Sequence, residues 1–413
     1  MTARSISVVT VGRSDFGIYL PVLQRIRADE SLRLRLIVSG AHLSSTHGHT
    51  VDEIERQGFK IDHRVSMLLA DDSPAAIAQS LGLGVLGFAQ TYAADKPDVL
   101  LVLGDRFEMF AAVAAAVPQR IPIAHLHGGE VTHGAIDEAF RHSISKCSHL
   151  HFASTQDHAD RLIRMGEEPW RVTVSGAPAL DNLRTMTLPS REELSARFEL
   201  GDAAPILVTY HPVTLQYEDV GPQIDALLAA LDDAVATEAE PRPILFTAPN
   251  ADTYGQIIAE RIRRYVAERA NCRYVENLGT RNYFGLMRFA AAMVGNSSSG
   301  IIEAASFELP VVDVGIRQDG RPSSGNVLHV GNGRDEIGVG LRRALSSEFR
   351  RSLDGLENIY GNGTAADSII DVLRQCPLDE RLIVKRFYDG PVGSIDSDDA
   401  LSNRARPTAA ALR

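Results

Sequence analysis

Short apolar runs alternate with longer stretches of helical periodicity along most of the chain. Ser5–Val11 (SISVVTV) reads as a buried strand, and Ile18–Ala28 as the helix after it. Leu32–Val38 is a second strand, His42–Thr50 is loop-like, and Val51–Gln57 is helical. The pattern continues with helix Pro74–Ala94, strand Asp98–Leu103, helix Arg106–Val117, strand Ile121–Leu126 and a helix from about Ile136. Strand Leu150–Ala153, helix Gln156–Met165 and strand Val172–Ser175 complete the first half. Strands this short, alternating with helices this long, predict βα units: a parallel sheet covered on both faces.

From Asp181 to Pro205 the pattern turns polar and helical, as a connection would, and then a second series begins. Its strands are Ile206–Thr209, Ile244–Thr247, Arg273–Val275, Ala292–Gly295, Val311–Val314 and a short one near Val327–Val330. Its helices are Gln223–Thr237, Tyr254–Ala267, Asn282–Phe289 and Ser299–Phe307, and Thr364–Gln375 is a final helix. At 413 residues the chain exceeds one ordinary core, so the expectation is two domains, 1–183 and 205–363, joined by 184–204. Residues 390–413 lack periodicity and read as a mobile tail.

Composition narrows the function class. No apolar run is long enough to span a membrane, and the N-terminus lacks a secretory pattern, so the expectation is a cytoplasmic protein. A net charge of −11 without basic clusters argues against nucleic acid as a partner. Cys147, Cys272 and Cys376 are too scattered for a disulfide framework or a thiolate metal site, and read as buried thiols. The dinucleotide fingerprint G-x-G-x-x-G is missing after the strands, which removes a nicotinamide domain.

Polar chemistry collects where strands end, which is where open parallel sheets bind ligands. The densest case is Ala124–Arg141 (AHLHGGEVTHGAIDEAFR), with His125, His127, Glu130, His133, Asp137 and Glu138 around a Gly128–Gly129 turn. It reads either as a demanding turn that is merely polar or as one wall of an active site. Asp105 follows an apolar strand with Glu108 three residues on: a capping box, or a buried carboxylate raised toward neutrality as a base. Asn296–Gly300 places Ser297, Ser298 and Ser299 at a helix start suited to a phosphate, or simply to a serine cap. Glu303 is then a surface acid or an acceptor for a sugar hydroxyl. His211, between Tyr210 and Pro212, and Arg13 each have equally good structural accounts, and His47 and His49 suit a solvated loop better than a metal site. Helical spacing puts Ile136, Phe140, Ile144 and Cys147 on one apolar face, with Asp137 and Arg141 as an exposed pair beside it.

Seven motifs together resemble the hydrolysing UDP-N-acetylglucosamine 2-epimerases that supply N-acetylmannosamine for bacterial sialic acid synthesis. They are GRSDFG (12–17), GDRFE (104–108), HLHGGEVTHGAIDEAFRHSISKCSHLHF (125–152), SGAPALDNL (175–183), TYHP (209–212), LGTRNYFGLM (278–287) and GNSSSGIIEA (295–304). The resemblance implies an α/β fold of two Rossmann-like domains of the GT-B type, a nucleotide-sugar cleft between them, and residues 364–376 crossing back to the first domain. It implies a reaction without metal or other cofactor, in a homodimer or homotetramer. By position it makes Asp105 and Asp137 catalytic carboxylates and gives His211 a part in phosphate departure. Arg13, Ser297, Ser298, Ser299, Gly300 and Arg321 would hold the pyrophosphate, Glu303 the ribose, and Asn250 would lie near the uracil. Many relatives carry HIEGGE where this chain has HLHGGE, which puts His127 where they have a catalytic glutamate and leaves Glu130 three residues later. Either His127 performs the acid/base step, or the change marks the subgroup of legionaminic acid synthesis, acting on UDP- or GDP-linked 2,4-diacetamido-trideoxyhexoses. RPSSGN (321–326) departs too, with Gly325 where relatives often carry glutamate. A GT-B glycosyltransferase and a catalytically silent nucleotide-sugar sensor are the alternatives from other classes.

Overall fold

The computed structural model describes residues 3–44, 50–71, 73–132, 136–213, 219–236, 242–249, 255–276 and 278–390. Within them the β-branched and leucine-rich runs form two parallel sheets. The first holds β1 (Arg4–Thr10), β2 (Leu32–Ser39), β3 (His63–Val65), β4 (Val99–Leu103), β5 (Ile123–Leu126), β6 (Leu150–Ala153) and β7 (Val172–Val174), in the order β3-β2-β1-β4-β5-β6-β7. The second holds β8 (Ile206–Thr209), β9 (Ile244–Thr247), β10 (Cys272–Val275), β11 (Ala292–Gly295), β12 (Val311–Val314) and β13 (Val327–Val330), in the order β10-β9-β8-β11-β12-β13. Both sheets therefore reverse their winding between the first and fourth strands, at β1/β4 and β8/β11, the crevice position for ligands in such sheets.

Alternate residues of one strand feed opposite faces, and both faces are buried, which explains the uninterrupted apolar runs. In β1, Ile6 and Val8 enter the core under helices Arg13–Ala28 and Ala365–Gln375, whereas Val9 enters the core under Pro74–Ala94 and Phe107–Ala116. Helix Ala365–Gln375 thus returns from the second sheet to seal the first. Ile369 and Leu373 are fully buried there, each stabilising the closure by roughly 1.5–3 kcal/mol as a transfer estimate. Asp181 anchors its start, accepting the Ala365 and Ala366 amides at 3.0 and 2.7 Å.

Several elements differ from the sequence expectation. The first helix starts at Arg13, five residues early, because the buried Asp15 and Phe16 make its first turn part of the core. Strand β3 has only three residues, too few for a periodic signal. Helix Arg334–Ala344 is obscured by glycines that packing requires: a Cβ on Gly340 would lie 2.9 Å from Val312 Cγ1 and 3.0 Å from Val330 Cγ1. Ile136 lies just before helix Asp137–Cys147 and is 68% exposed, so the apolar face there consists of Ile144 and of Phe140 against Phe110. Cys272 and Cys376 are buried as expected, but Cys147 only partly so. No described helix is long and apolar enough to cross a membrane. His47, His49, His133, Asn250 and most of the expected tail lie outside the described residues.

Candidate active site

Strand ends at the two switch points bring together most of the residues singled out above. The turn after β5 is forced by two close approaches. A Cβ on Gly128 would lie 2.9 Å from His125 Nδ1 and 3.0 Å from Ser145 Oγ. Gly129, at φ +76°, has no room for one because the His158 carbonyl occupies that space. Arg161 donates to the Gly129 carbonyl and locks the turn onto helix Gln156–Arg164. The result is an uncommon left-handed backbone at His127, φ +61°, with its amide bonded to the Phe152 carbonyl at 3.1 Å.

From that strained position the His127 ring meets Glu130, Nδ1 to Oε1, at 2.6 Å. The same oxygen accepts from Ser154 Oγ at 2.8 Å, and Ser154 Oγ lies 2.9 Å from His158 Nδ1. Burial alone would raise Glu130, but the neighbouring His127, through its position and its hydrogen bond, and then Arg321 outweigh it and hold the carboxyl far below its usual range. His125 is a different kind of histidine. Its Nε2–H donates to the Gly104 carbonyl at 2.8 Å, its Nδ1 lies 3.2 Å from Ser145 Oγ, and burial pushes it down to about 3, so it is a neutral structural ring.

Asp105 does not cap the helix that follows. That helix begins at Phe107 with Arg106 at its cap and no side-chain cap bond, one position too late for a box between Asp105 and Glu108. Asp105 instead takes a hydrogen bond from Arg141 Nη2, which also donates to Thr132 Oγ1 at 2.8 Å, while Nη1 reaches Glu138 Oε2 at 3.2 Å. Arg141 is 3% exposed, not the surface ion-pair partner the spacing suggested. Burial and the Arg321 and Arg161 charges push it down to about 9, which leaves it charged at neutral pH. Beside this group, Arg106 spans to the buried Glu108 at 3.4 Å, and Asp15 is raised to about 6 by burial despite Arg106.

Across the cleft, Asn296 at the end of β11 grips the backbone of His211 at the end of β8. It accepts the His211 amide at 2.7 Å and donates to its carbonyl at 2.9 Å. Burial, with help from Arg317, pushes the imidazole down to about 3, so it is neutral in use. Ser297 caps the five-residue helix Ser298–Ile302, accepting the Ser299 amide at 3.3 Å, and a 3₁₀ turn, Ala304–Phe307, follows. The Tyr283 hydroxyl lies 3.3 Å from Thr209 Oγ1, and Tyr283 is also close to Ser297, Ser299 and Glu303. Burial raises the Glu303 carboxyl, and its Oε2 has no partner among the described residues. Arg13 stands exposed at the mouth, on the first turn after β1.

Arg321 comes from the segment after β12, yet its charge acts on Glu130, Arg141 and His158 of the first domain. It also lines a cavity of about 350 Å³ between the domains, with Asp157, Asp160, Arg161 and Arg164 facing Gly320 and Pro322. Of the residues singled out in the sequence, Asp105, His127 and Glu130 gather on one side, and His211, Ser297–Gly300 and Glu303 on the other. Sequence reasoning placed Asp15 and Asn296 within strand-end motifs without giving either a role, and missed Ser154, His158 and Tyr283 as site neighbours. Tyr283 carried a usable signal, since it falls inside the quoted motif LGTRNYFGLM (278–287). Ser154 and His158 carried none, because a serine and a histidine at a helix start are commonplace.

Two parallel sheets of matching topology, sealed by a returning helix and meeting at their switch points, define a two-domain Rossmann-like protein of the GT-B type. Residues 24–374 match the family model described as UDP-N-acetylglucosamine 2-epimerase, and the chain belongs to that family. It is 37% identical over 383 residues to UDP-N,N'-diacetylbacillosamine 2-epimerase (hydrolyzing) of Legionella pneumophila, covering 92% of this chain and 98% of that one. It is 35% identical over 392 residues to GDP/UDP-N,N'-diacetylbacillosamine 2-epimerase (hydrolyzing) of Campylobacter jejuni, covering 94% and 100%. In fold it is similar to UDP-GlcNAc 2-epimerase from Neisseria meningitidis bound to UDP-GlcNAc, with a TM-score of 0.76 at 20% identity over 89% of this chain and 99% of that one.

Proposed function

We propose that the protein is a hydrolysing 2-epimerase whose substrate is a UDP-linked 2,4-diacetamido-trideoxyhexose, and that its product feeds a legionaminic-type nonulosonic acid route. The observation that carries this is the reach of Arg321 across the cleft to Glu130 and Arg141, which joins a leaving-group side to an acid–base side. The names of the Legionella and Campylobacter relatives favour the diacetamido sugar over the N-acetylglucosamine expected first from the sequence. UDP-N-acetylglucosamine stays as the second reading, favoured by the Neisseria neighbour, and the assay includes it.

The chemistry is an elimination followed by hydration. A base takes the C2 proton, the C1–O bond breaks, and UDP leaves with the bonding pair, so that a C1–C2 double bond forms. Water then adds its hydroxyl to C1, and an acid returns a proton to C2 from the opposite face, which inverts that centre. Asp105 and Asp137 are the candidate carboxylates, and the Arg141 guanidinium holds Asp105 in place by a hydrogen bond. His127 is the proton carrier at the position where relatives have a glutamate, with Glu130 orienting it. The neutral His211 is a hydrogen-bond donor for the departing phosphate. Arg13, the Ser297–Gly300 helix start and Arg321 are assigned to the pyrophosphate, Glu303 to the ribose and Asn250 to the uracil.

Incubation with each nucleotide sugar in heavy water, without an acceptor, tests the reading by proton NMR. The expected result is UDP plus a free manno-configured sugar carrying deuterium at C2, faster from the diacetamido substrate. Nucleotide loss without exchange at C2, or turnover only with an acceptor, would sink it in favour of a glycosyltransferase.

A further inference from the structure

The hydrogen bonds of the chain His158–Ser154–Glu130–His127 converge on the Glu130 carboxylate. An ionised carboxylate can only accept, so Glu130 Oε1 takes one proton from His127 Nδ1 at 2.6 Å and one from Ser154 Oγ at 2.8 Å. Ser154 has a single hydroxyl proton and has spent it. At the 2.9 Å contact its oxygen must accept, which requires the proton of His158 on Nδ1. Both imidazoles are thereby fixed in the same tautomer, and among the described residues neither Nε2 has a partner.

We infer that Ser154 and His158 are positioning residues, which act through Glu130 to hold His127 with its proton on Nδ1 and its Nε2 lone pair presented as the basic atom. The inference rests on the reading of His127 as proton carrier. All four residues are buried, at 9% exposure or less, and they are braced by the backbone as well as by their own bonds. The carbonyl of His158 fills the space beside Gly129, and Arg161, one turn further along the same helix, donates to the Gly129 carbonyl. The turn that presents His127 and the helix that carries His158 are therefore one unit.

This polarity also says what the chain does not do. When Nε2 of His127 takes a proton, the ring becomes an imidazolium whose Nδ1–H already faces the Glu130 carboxylate, and the proton goes back out through Nε2. None moves on to Ser154 or His158, because both bonds already donate toward Glu130. The arrangement is the orienting carboxylate of a hydrolase triad with two further members behind it, not a proton wire. The titratable groups facing Glu130 are His127, His158 and Arg321, and Arg161 also faces His158.

The full chain tests this with Ser154→Ala, Ser154→Thr, His158→Gln and His127→Gln, using steady-state kinetics, UDP binding and ¹⁵N imidazole spectra in which His127→Gln identifies the His127 signal. Losing one hydrogen bond to a charged group corresponds to roughly tenfold in rate. S154A is expected to lower kcat by about that factor with KM and UDP binding kept, and to shift the His127 signal from one tautomer to a mixture. S154T should recover most of both, and H158Q should reproduce S154A in part. A wild-type kcat and an unchanged His127 signal in S154A, while H127Q is inactive, would overturn the relay alone. Loss of UDP binding together with activity in both S154A and H158Q would overturn it too, as a merely structural role. H127Q turning over at the wild-type rate would overturn the reading beneath it.

Discussion

Arg141 holds Asp105 from one turn inside the helix that begins at Asp137, so the carboxylate at the end of β4 is paired with a guanidinium the solvent barely reaches. Asp105→Asn is expected to abolish turnover while UDP still binds. Arg141→Lys should already lower kcat by roughly a hundredfold, because an ammonium cannot serve Asp105, Glu138 and Thr132 in one planar fork. Arg141→Met should further cost about 3 kcal/mol in urea unfolding, at the low end for a broken buried pair because Asp105 and Glu138 keep some contact with water. A normal rate for Asp105→Asn would remove that residue from the mechanism.

The protein should lose stability in mild acid. Burial depresses His125 and His211 to about 3, and His42, His149 and His158 to about 4. An unfolded histidine titrates near 6.5, so between that pH and about 4 the unfolded chain binds more protons than the folded one, and stability falls as pH falls. Asp15, raised to about 6 by burial, works the other way, since its contribution fades as pH rises from 3.8 to 6. Glu303, Asp181 and Asp313, also raised by burial, and His329, raised by its hydrogen bond to Asp313, act in the same direction as Asp15, while His151, lowered by burial, joins the other five histidines. For fully buried His125 the loss at pH 5 is roughly 2 kcal/mol. The thermal midpoint should therefore drop between pH 7.5 and 5, and less steeply in His125→Gln; a flat or rising midpoint would contradict the burial argument.

Asp181 belongs to a quoted motif but has a structural task. It satisfies the first two amides of helix Ala365–Gln375, the segment that ties the second domain back to the first. Asp181→Ala should cost about 1–2 kcal/mol as a lost helix cap, with kcat close to wild type in the folded fraction. Hydrogen exchange should quicken in that helix before the strands of either sheet. Uniform exchange across the molecule would show that the returning helix is not an independently opening unit.

How much of this was legible beforehand follows from what each feature depends on. Eleven of the thirteen strands among the described residues could be read to within about a residue at each end, because a strand in a sheet covered on both faces needs an apolar run wherever it lies in the chain. Helix Pro74–Ala94 was equally legible, with Pro74 and the Ser73 cap marking its start. Strand β3 and helix Arg334–Ala344 were not, because one is too short for any period and the other owes its glycines to neighbours distant in sequence.

The Gly128–Gly129 turn shows the same division at the site. By itself the sequence determined that polar groups gather where β5 ends, since apolar periodicity stops there and glycine permits the turn. Only the tertiary structure decided which of them work together. His125 is buried neutral on the Gly104 carbonyl, His127 is turned left-handed onto Glu130, and Asp105 is given to Arg141 rather than to its own helix. Those outcomes rest on contacts with Ser145, Ser154, His158 and Arg161, residues 17 or more positions away from the partners they hold, or on a competition for one carboxylate that no local spacing encodes.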